Sequence, residues 1–221
     1  MKNIIAIGDI HGCFKQLNEI LDQTKQYPRH ELVFLGDYID RGPESEKVCR
    51  KLDGINGIFL KGNHEEMLIR RAINNPNKIP ELLQIAQISI ESLEWISKSL
   101  QAIYSTEDYI FVHAGLNCEK GLDEQCEYDY LWTRWNDDYY CITNKLVIHG
   151  HSVVKDPEMH GNRLNINTGC GSGGYLTAII LPEMIYLKSS TSEGKEFDWE
   201  KIKLELESEL EELDQIDEKY V

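Results

Sequence analysis

A unit repeated three times along the first seventy residues constrains this chain more than any other feature. Ile4–Ile7 is a short apolar run that stops at Gly8-Asp9, and Leu17, Ile20, Leu21 and Thr24 then recur at helical spacing. Leu32–Leu35 is a second apolar run, stopped by Gly36-Asp37. Val48 and Leu52 mark a helix beyond Pro43, a residue suited to a helix start. Ile58–Leu60 is the third run, stopped by Gly62-Asn63, with Met67, Leu68 and Arg71 continuing helically. Apolar runs of this length read as buried strands, so the rhythm is β-α-β-α-β. It predicts an α/β sheet that gathers polar residues at the carboxyl ends of its strands, where such sheets bind ligands.

Beyond this unit, Asn74 to Pro80 is polar and turn-rich, and Glu81 to Ile103 reads as mostly helical. Strands return at Tyr109–Val112, Leu146–Ile148, Arg163–Ile166, Leu176–Leu181 and Met184–Leu187. A strand-rich second half with few helices predicts a second sheet packed on the first. After Gly194 the pattern changes again. Trp199, Ile202, Leu206, Leu210, Leu213 and Tyr220 recur mostly three or four residues apart in a highly charged segment, an acidic amphipathic helix. The expected organisation is a folded domain over 1–192 and a helix over 193–221. That helix either lies on the domain's own surface or meets a second copy or another partner.

A length of 221 residues suits one large domain. The net charge of -15 argues against nucleic acid or an anionic membrane as partner, although part of it is local to 193–221. Six scattered cysteines, without C-x-x-C or zinc-finger spacing, read as reduced thiols. Met1-Lys2-Asn3 leads into the first strand without a signal peptide, and no apolar run approaches the roughly 18 residues of a membrane span. A cytoplasmic location is the expectation.

The residues with chemistry to offer stand at the strand ends. They are Gly8-Asp9-Ile10-His11-Gly12, Gly36-Asp37-Tyr38-Ile39-Asp40-Arg41-Gly42, Gly62-Asn63-His64-Glu65, His113-Ala114-Gly115 and His149-Gly150-His151-Ser152. Divalent metals of hard or borderline character take carboxylate, amide oxygen and imidazole ligands, and this set supplies all three. Asp9 and His11 sit two apart, so in extended backbone they share a face. A single Gly-Asp is commonly a turn, and Asn63 alone would serve as a helix cap. Five such pieces in this order, each closing an apolar run, point to a metal centre.

The order GDIHG, GDYIDRG, GNHE, HAG and HGHS resembles the metallophosphoesterases of the phosphoprotein-phosphatase (serine/threonine protein phosphatase) type, especially small bacterial and phage protein phosphatases. The resemblance runs from Ile4 to about Leu187. It implies a calcineurin-like four-layer α/β sandwich, two mixed β-sheets flanked by helices, with two divalent metals at one edge. Manganese is the leading metal, with iron and zinc as alternatives. By the same resemblance Asp9 and His11 hold one metal, Asp37 bridges both, and Asn63, His113 and His151 hold the other. His64 is the general acid with Asp40 as its orienting partner. Arg41 grips the phosphate, as does Arg134 of Leu131-Trp132-Thr133-Arg134, and Asn63 also contacts it. His151, directly after the glycine, is the ligand rather than His149, which is left to support or structure. His30 and His160, far from any motif, are expected to be exposed. Asn167 stands where the family usually has aspartate, a departure expected to weaken a contact behind a metal-bound histidine.

These roles suit phosphoester hydrolysis. Two neighbouring metals can activate a shared water for in-line attack, arginine matches phosphate geometry, and a histidine can protonate a leaving alkoxide. The expected activity is monoester cleavage, with phosphoserine or phosphothreonine in proteins as substrate and small phosphoesters also in reach. The main alternative is a symmetrical diadenosine-tetraphosphate hydrolase. Those enzymes tend to lack the acid of the second motif and to carry aspartate after Asn-His, whereas this chain has Asp40 and Glu65. A non-catalytic metal-binding regulatory module is a remote alternative. A cysteine-x5-arginine phosphate loop is missing from the sequence.

Overall fold

The computed structural model describes residues 2–134 and 143–192. Strand β1 (Ile4–Ile7) is completely buried, and its alternation explains why. Ile4 and Ala6 point to one apolar cluster and Ile5 and Ile7 to another, so the strand is covered on both faces. It pairs in parallel with β2 (Glu31–Phe34), which pairs in parallel with β3 (Ile58–Phe59). On its other side it pairs antiparallel with β9 (Tyr175–Leu181), which continues to β10 (Ile185–Thr191). The first sheet therefore has the order β10-β9-β1-β2-β3.

The second sheet, β4-β5-β6-β8-β7, is built from β4 (Ile103–Ser105), β5 (Tyr109–Val112), β6 (Leu146–His149), β7 (Glu158–His160) and β8 (Arg163–Asn165). It is mixed as well, with β5, β6 and β8 parallel and both outer strands antiparallel. Ile4, Val33, Leu35 and Ile179 of the first sheet meet Phe111, Ile148 and Leu164 of the second, forming the core between the sheets. On the far side of the first sheet, α1 (Phe14–Thr24), α2 (Ser45–Asp53) and α5 (Ile90–Ser99) bring Leu17, Ile20, Val48, Leu52, Leu93 and Ile96 onto Ile5 and Ile7. This is the expected two-sheet sandwich flanked by helices.

The expected helix over Glu81–Ile103 is instead α4 (Ile79–Ala86), α5 and strand β4. The break falls at Gln87, whose backbone is left-handed at φ 55, and Ile88 N–H closes the turn on Leu83 O. Ser89 then caps α5 by accepting from Ser92 N, and Glu46 accepts from Ser89 N and Ser92 Oγ, pinning the new start to α2. Two further elements, β7 and α6 (Glu127–Trp132), were not anticipated. No described helix is long and apolar enough to cross a membrane, and none of the five described cysteines is in a disulfide. The expected acidic helix over 193–221 lies outside the described residues.

Candidate active site

Parallel pairing of β1, β2 and β3, and of β5 and β6, carries the carboxyl ends of these strands to one edge of the sandwich. Asp9, Asp37, Asn63, His113 and His151 follow those ends, and all five are buried. Two groups of atoms that could hold a metal ion lie there, His11 with Asp37 and His64, and Asp9 with Asp37 and His113. Asp37 belongs to both.

The chain keeps strained backbone at this edge. Seven described non-glycine residues have positive φ, and five of them are His11, Asp37, Asp40, Arg41 and His151. Such conformations cost of order 1–3 kcal/mol each and persist only where the surroundings dictate them. Several glycines at this edge leave no room for a side chain, and two of them lie against carboxylates. A Cβ on Gly62 would collide with Asp37 Oδ1, and one on Gly150 with Asp9 Oδ1.

Hydrogen bonds behind the cluster fix which atoms face inward. His11 donates from Nδ1 to Ile39 O at 3.0 Å, and His113 donates from Nδ1 to Leu35 O at 2.9 Å. Their Nε2 lone pairs are then turned towards Asp37, at 3.3 Å from Oδ2 and 3.5 Å from Oδ1 respectively. Asn63 Oδ1 lies 2.9 Å from His113 Nε2 and 3.2 Å from His151 Nδ1. Lone pair thus faces lone pair around one cluster, an arrangement that a cation relieves. Asp9 adds Oδ1, a buried oxygen with no hydrogen-bond partner, and Asn63 adds an unpartnered Nδ2. Burial and then the Asp37 carboxylate push Asp9 well above the usual carboxylate range, and burial pushes His11 well below the usual histidine range. A divalent ion would hold the first as carboxylate and use the second as neutral imidazole. The donor set fits such an ion.

Beside the cluster, His64 Nδ1 lies 2.7 Å from Asp40 Oδ2, and His64 Nε2 lies 4.0 Å from Asp37 Oδ2. Arg41 is half-buried, and its charge acts on both Asp9 and His11. Arg134 is exposed two residues after Trp132, whose ring stands edge-on to His151 at 6.0 Å. Lys61 ties this segment down by bridging Glu66 of α3 (Asn63–Asn74) at 2.7 Å and Glu127 of α6 at 2.6 Å.

Two contributors were misjudged or missed from sequence. Glu65 is completely buried. Its Oε2 accepts from Asp37 N and Gly62 N at 2.9 and 3.0 Å, and its Oε1 from Tyr38 N and Ile39 N at 2.8 and 3.3 Å. It is the clamp on the Asp37 loop, and the signal was the glutamate three residues after a helix-capping glycine. Asn167 is the second, and it touches both Asp9 and the His151 backbone. Its Nδ2 donates to Asp9 Oδ2 at 2.7 Å and to His151 O at 3.0 Å, while its Oδ1 accepts from Gly169 N. A carboxylate could not donate to Asp9. Asn167→Ala is therefore expected to weaken divalent-metal binding about 10–100-fold in competition titrations with a chelating dye; unchanged affinity would show that Asp9 does not rely on this amide. His149 is buried with Nδ1 3.2 Å from Gly150 O, and burial pushes its pKa down to about 3. Of the two histidines expected to be exposed, His160 is, but the His30 side chain is only 9% exposed and stacks edge-on against Tyr27.

The chain is similar to known proteins. The chain is 28% identical over 220 residues to the asymmetrical bis(5'-nucleosyl)-tetraphosphatase PrpE of Bacillus subtilis, covering 80% of this chain and 90% of that protein. It is 32% identical over 145 residues to a symmetrical bis(5'-nucleosyl)-tetraphosphatase of Photobacterium profundum, covering 57% and 53% respectively. A crystal structure of a candidate diadenosine tetraphosphatase superposes with a TM-score of 0.72 at 22% identity, over 87% of this chain and 95% of that one, which supports the fold. The family model described as calcineurin-like phosphoesterase matches residues 2–173, a span that holds every motif above, and the chain belongs to that family.

Proposed function

We propose that this chain is a metal-dependent hydrolase of bis(5'-nucleosyl) tetraphosphates. The observation that supports the chemistry is the buried cluster of inward-facing lone pairs around Asp37, flanked by the His64–Asp40 pair. The substrate class is supported by relatives named as such hydrolases across four fifths of the chain. They favour the nucleotide alternative over the protein-phosphatase expectation.

Asp9, His11 and Asp37 would hold one divalent ion, and Asp37, Asn63, His113 and His151 the other. When bound, such ions act as Lewis acids on phosphoryl oxygens and activate water. The remaining work belongs to the chain. Arg41 and Arg134 hold the phosphoryl oxygens, and Asn63 Nδ2 offers a further donor. His64 gives a proton to the leaving oxygen while Asp40 stabilises its imidazolium and fixes its ring.

One observation favours a second reading. The 2.7 Å contact between His64 and Asp40 suits an alkoxide leaving group, which needs a proton, more than a nucleotide phosphate, which leaves as a stable anion. Phosphoserine and phosphothreonine peptides are the corresponding substrates. The manganese-loaded protein, offered diadenosine tetraphosphate and a phosphopeptide side by side, is expected to cleave the dinucleotide with at least about tenfold higher kcat/KM, a margin of roughly 1.4 kcal/mol. AMP and ATP as products would mark asymmetrical cleavage, and ADP alone symmetrical cleavage. Peptide dephosphorylation with the dinucleotide untouched would overturn the proposal in favour of the monoester reading.

A further inference from the structure

Lys61 directly precedes the Gly62-Asn63 step, and its backbone is held in place by its N–H, which donates to Gln101 O at 2.9 Å. Its ammonium joins two helices. Glu66 lies in the first turn of α3, the turn that carries Asn63 and His64, and Glu127 opens α6, 66 residues further along the chain. The Lys61 and Glu66 side chains are 16% and 9% exposed, which shelters that half of the bridge from the screening that weakens surface pairs. Burial alone would lower Lys61, but the Glu127 and Glu66 carboxylates outweigh it and hold the ammonium above the usual lysine range. The bridge therefore stays charged at neutral pH.

Helix α6 has six residues, too few to keep its place through helical hydrogen bonds alone. Its neighbours hold it. Leu131 and Trp132 pack on Met67 of α3, Tyr130 O accepts from Ala114 N at 2.7 Å, and Glu127 takes Lys61. What α6 positions lies at its carboxyl end. The Trp132 ring stands edge-on to His151, Thr133 N closes on Asp129 O, and Thr133 turns the backbone out of the helix at φ -56 and ψ 123. The placement of α6 thus sets where the chain delivers Arg134. We propose that Lys61 is a positioning residue for phosphate binding: by tying α6 to the turn of α3 that carries Asn63 and His64, it sets where Arg134 meets the phosphoryl oxygens. Its own ammonium is engaged by the two carboxylates, so it acts on the substrate through α6. The inference rests on the phosphate role given to Arg134 above.

The test is steady-state kinetics of the manganese-loaded full chain on the phosphoester it cleaves, with inorganic phosphate as a competitive inhibitor. Lys61→Met keeps the apolar stem and removes the charge. Glu127→Gln keeps the shape of the half-exposed partner and gives a second variant whose folding is safe. Each is expected to raise KM and the Ki of phosphate together by about three- to fivefold, with kcat changed by less than about twofold. Lys61→Arg, whose fork can reach both carboxylates, should stay within about twofold of the wild type. Arg134→Ala should raise KM at least about tenfold, and adding Lys61→Met to it should raise KM little further, because the bridge then has no arginine to place. Independent effects in the double variant would overturn the inference, as would wild-type KM and Ki in both bridge variants beside a raised KM in Arg134→Ala; either result leaves the phosphate role of Arg134 standing. Wild-type KM in Arg134→Ala would instead overturn that role, and this inference with it.

Discussion

His64→Asn is expected to lower kcat on an alkyl phosphate monoester by about 10²–10⁴-fold, the range typical of losing a general acid. On diadenosine tetraphosphate the same variant should lose less than about tenfold, because the departing nucleotide is already a good leaving group. The asymmetry follows from the geometry. His64 lies against Asp40 on one side and near Asp37 on the other, so it is placed to hold a proton next to the charged cluster without coordinating through the nitrogen that Asp40 engages. Asparagine keeps a similar polar shape but cannot carry the proton. Asp40→Asn should fall between the wild type and His64→Asn on the monoester, since an amide can accept from the ring but cannot stabilise its charged form. The measurement is kcat for both substrates with each variant, at saturating manganese. Equal losses on both substrates would mean that His64 orients substrate or supports Asp37 instead of protonating a leaving group.

How much of this site could be read from the chain depended on the range of the forces involved. Asp9, Asp37 and Asn63 were legible because each follows a short apolar run at a Gly-polar step, a local signal for a buried parallel strand ending at a ligand edge. His113 and His151 were legible through their motifs, and the structure brings both within reach of Asn63. The break at Gln87 was not legible, since the apolar spacing runs on through it and part of what holds the turn is the contact of Ser89 with Glu46, 43 residues earlier in the chain. The role of Asn167 was hidden for a similar reason. Its partner Asp9 lies 158 residues away, and nothing at position 167 says that an amide donor is needed there. His30 was misread because isolation from motifs says nothing about burial, and its ring packs on Tyr27 through the turn after α1.

Glu65 is where the largest stability effect is expected. Each of its two oxygens accepts two backbone N–H groups, so all four acceptor sites of an ionised carboxylate are in use. Burial and then the neighbouring Asp37 push its pKa up to about 7, against the opposing pull of His64 and of the Tyr38 and Gly62 N–H groups. In Glu65→Gln the amide nitrogen would face two backbone N–H groups, leaving both unsatisfied at about 1–3 kcal/mol each. A destabilisation of about 3 kcal/mol corresponds to a fall in Tm of roughly 10 °C for a domain of this size. Because the clamped groups include Asp37 N itself, the same variant should loosen the carboxylate shared by both metal-ligating groups. Metal affinity should then fall along with Tm, and excess manganese should recover part of both. Calorimetric scans of the wild type and variant, with and without manganese, measure the two effects together. A variant with unchanged Tm and unchanged metal stabilisation would mean that the Asp37 loop keeps its left-handed turn without Glu65, held by contacts such as those of Ile10 N and His11 N with Asp37 O.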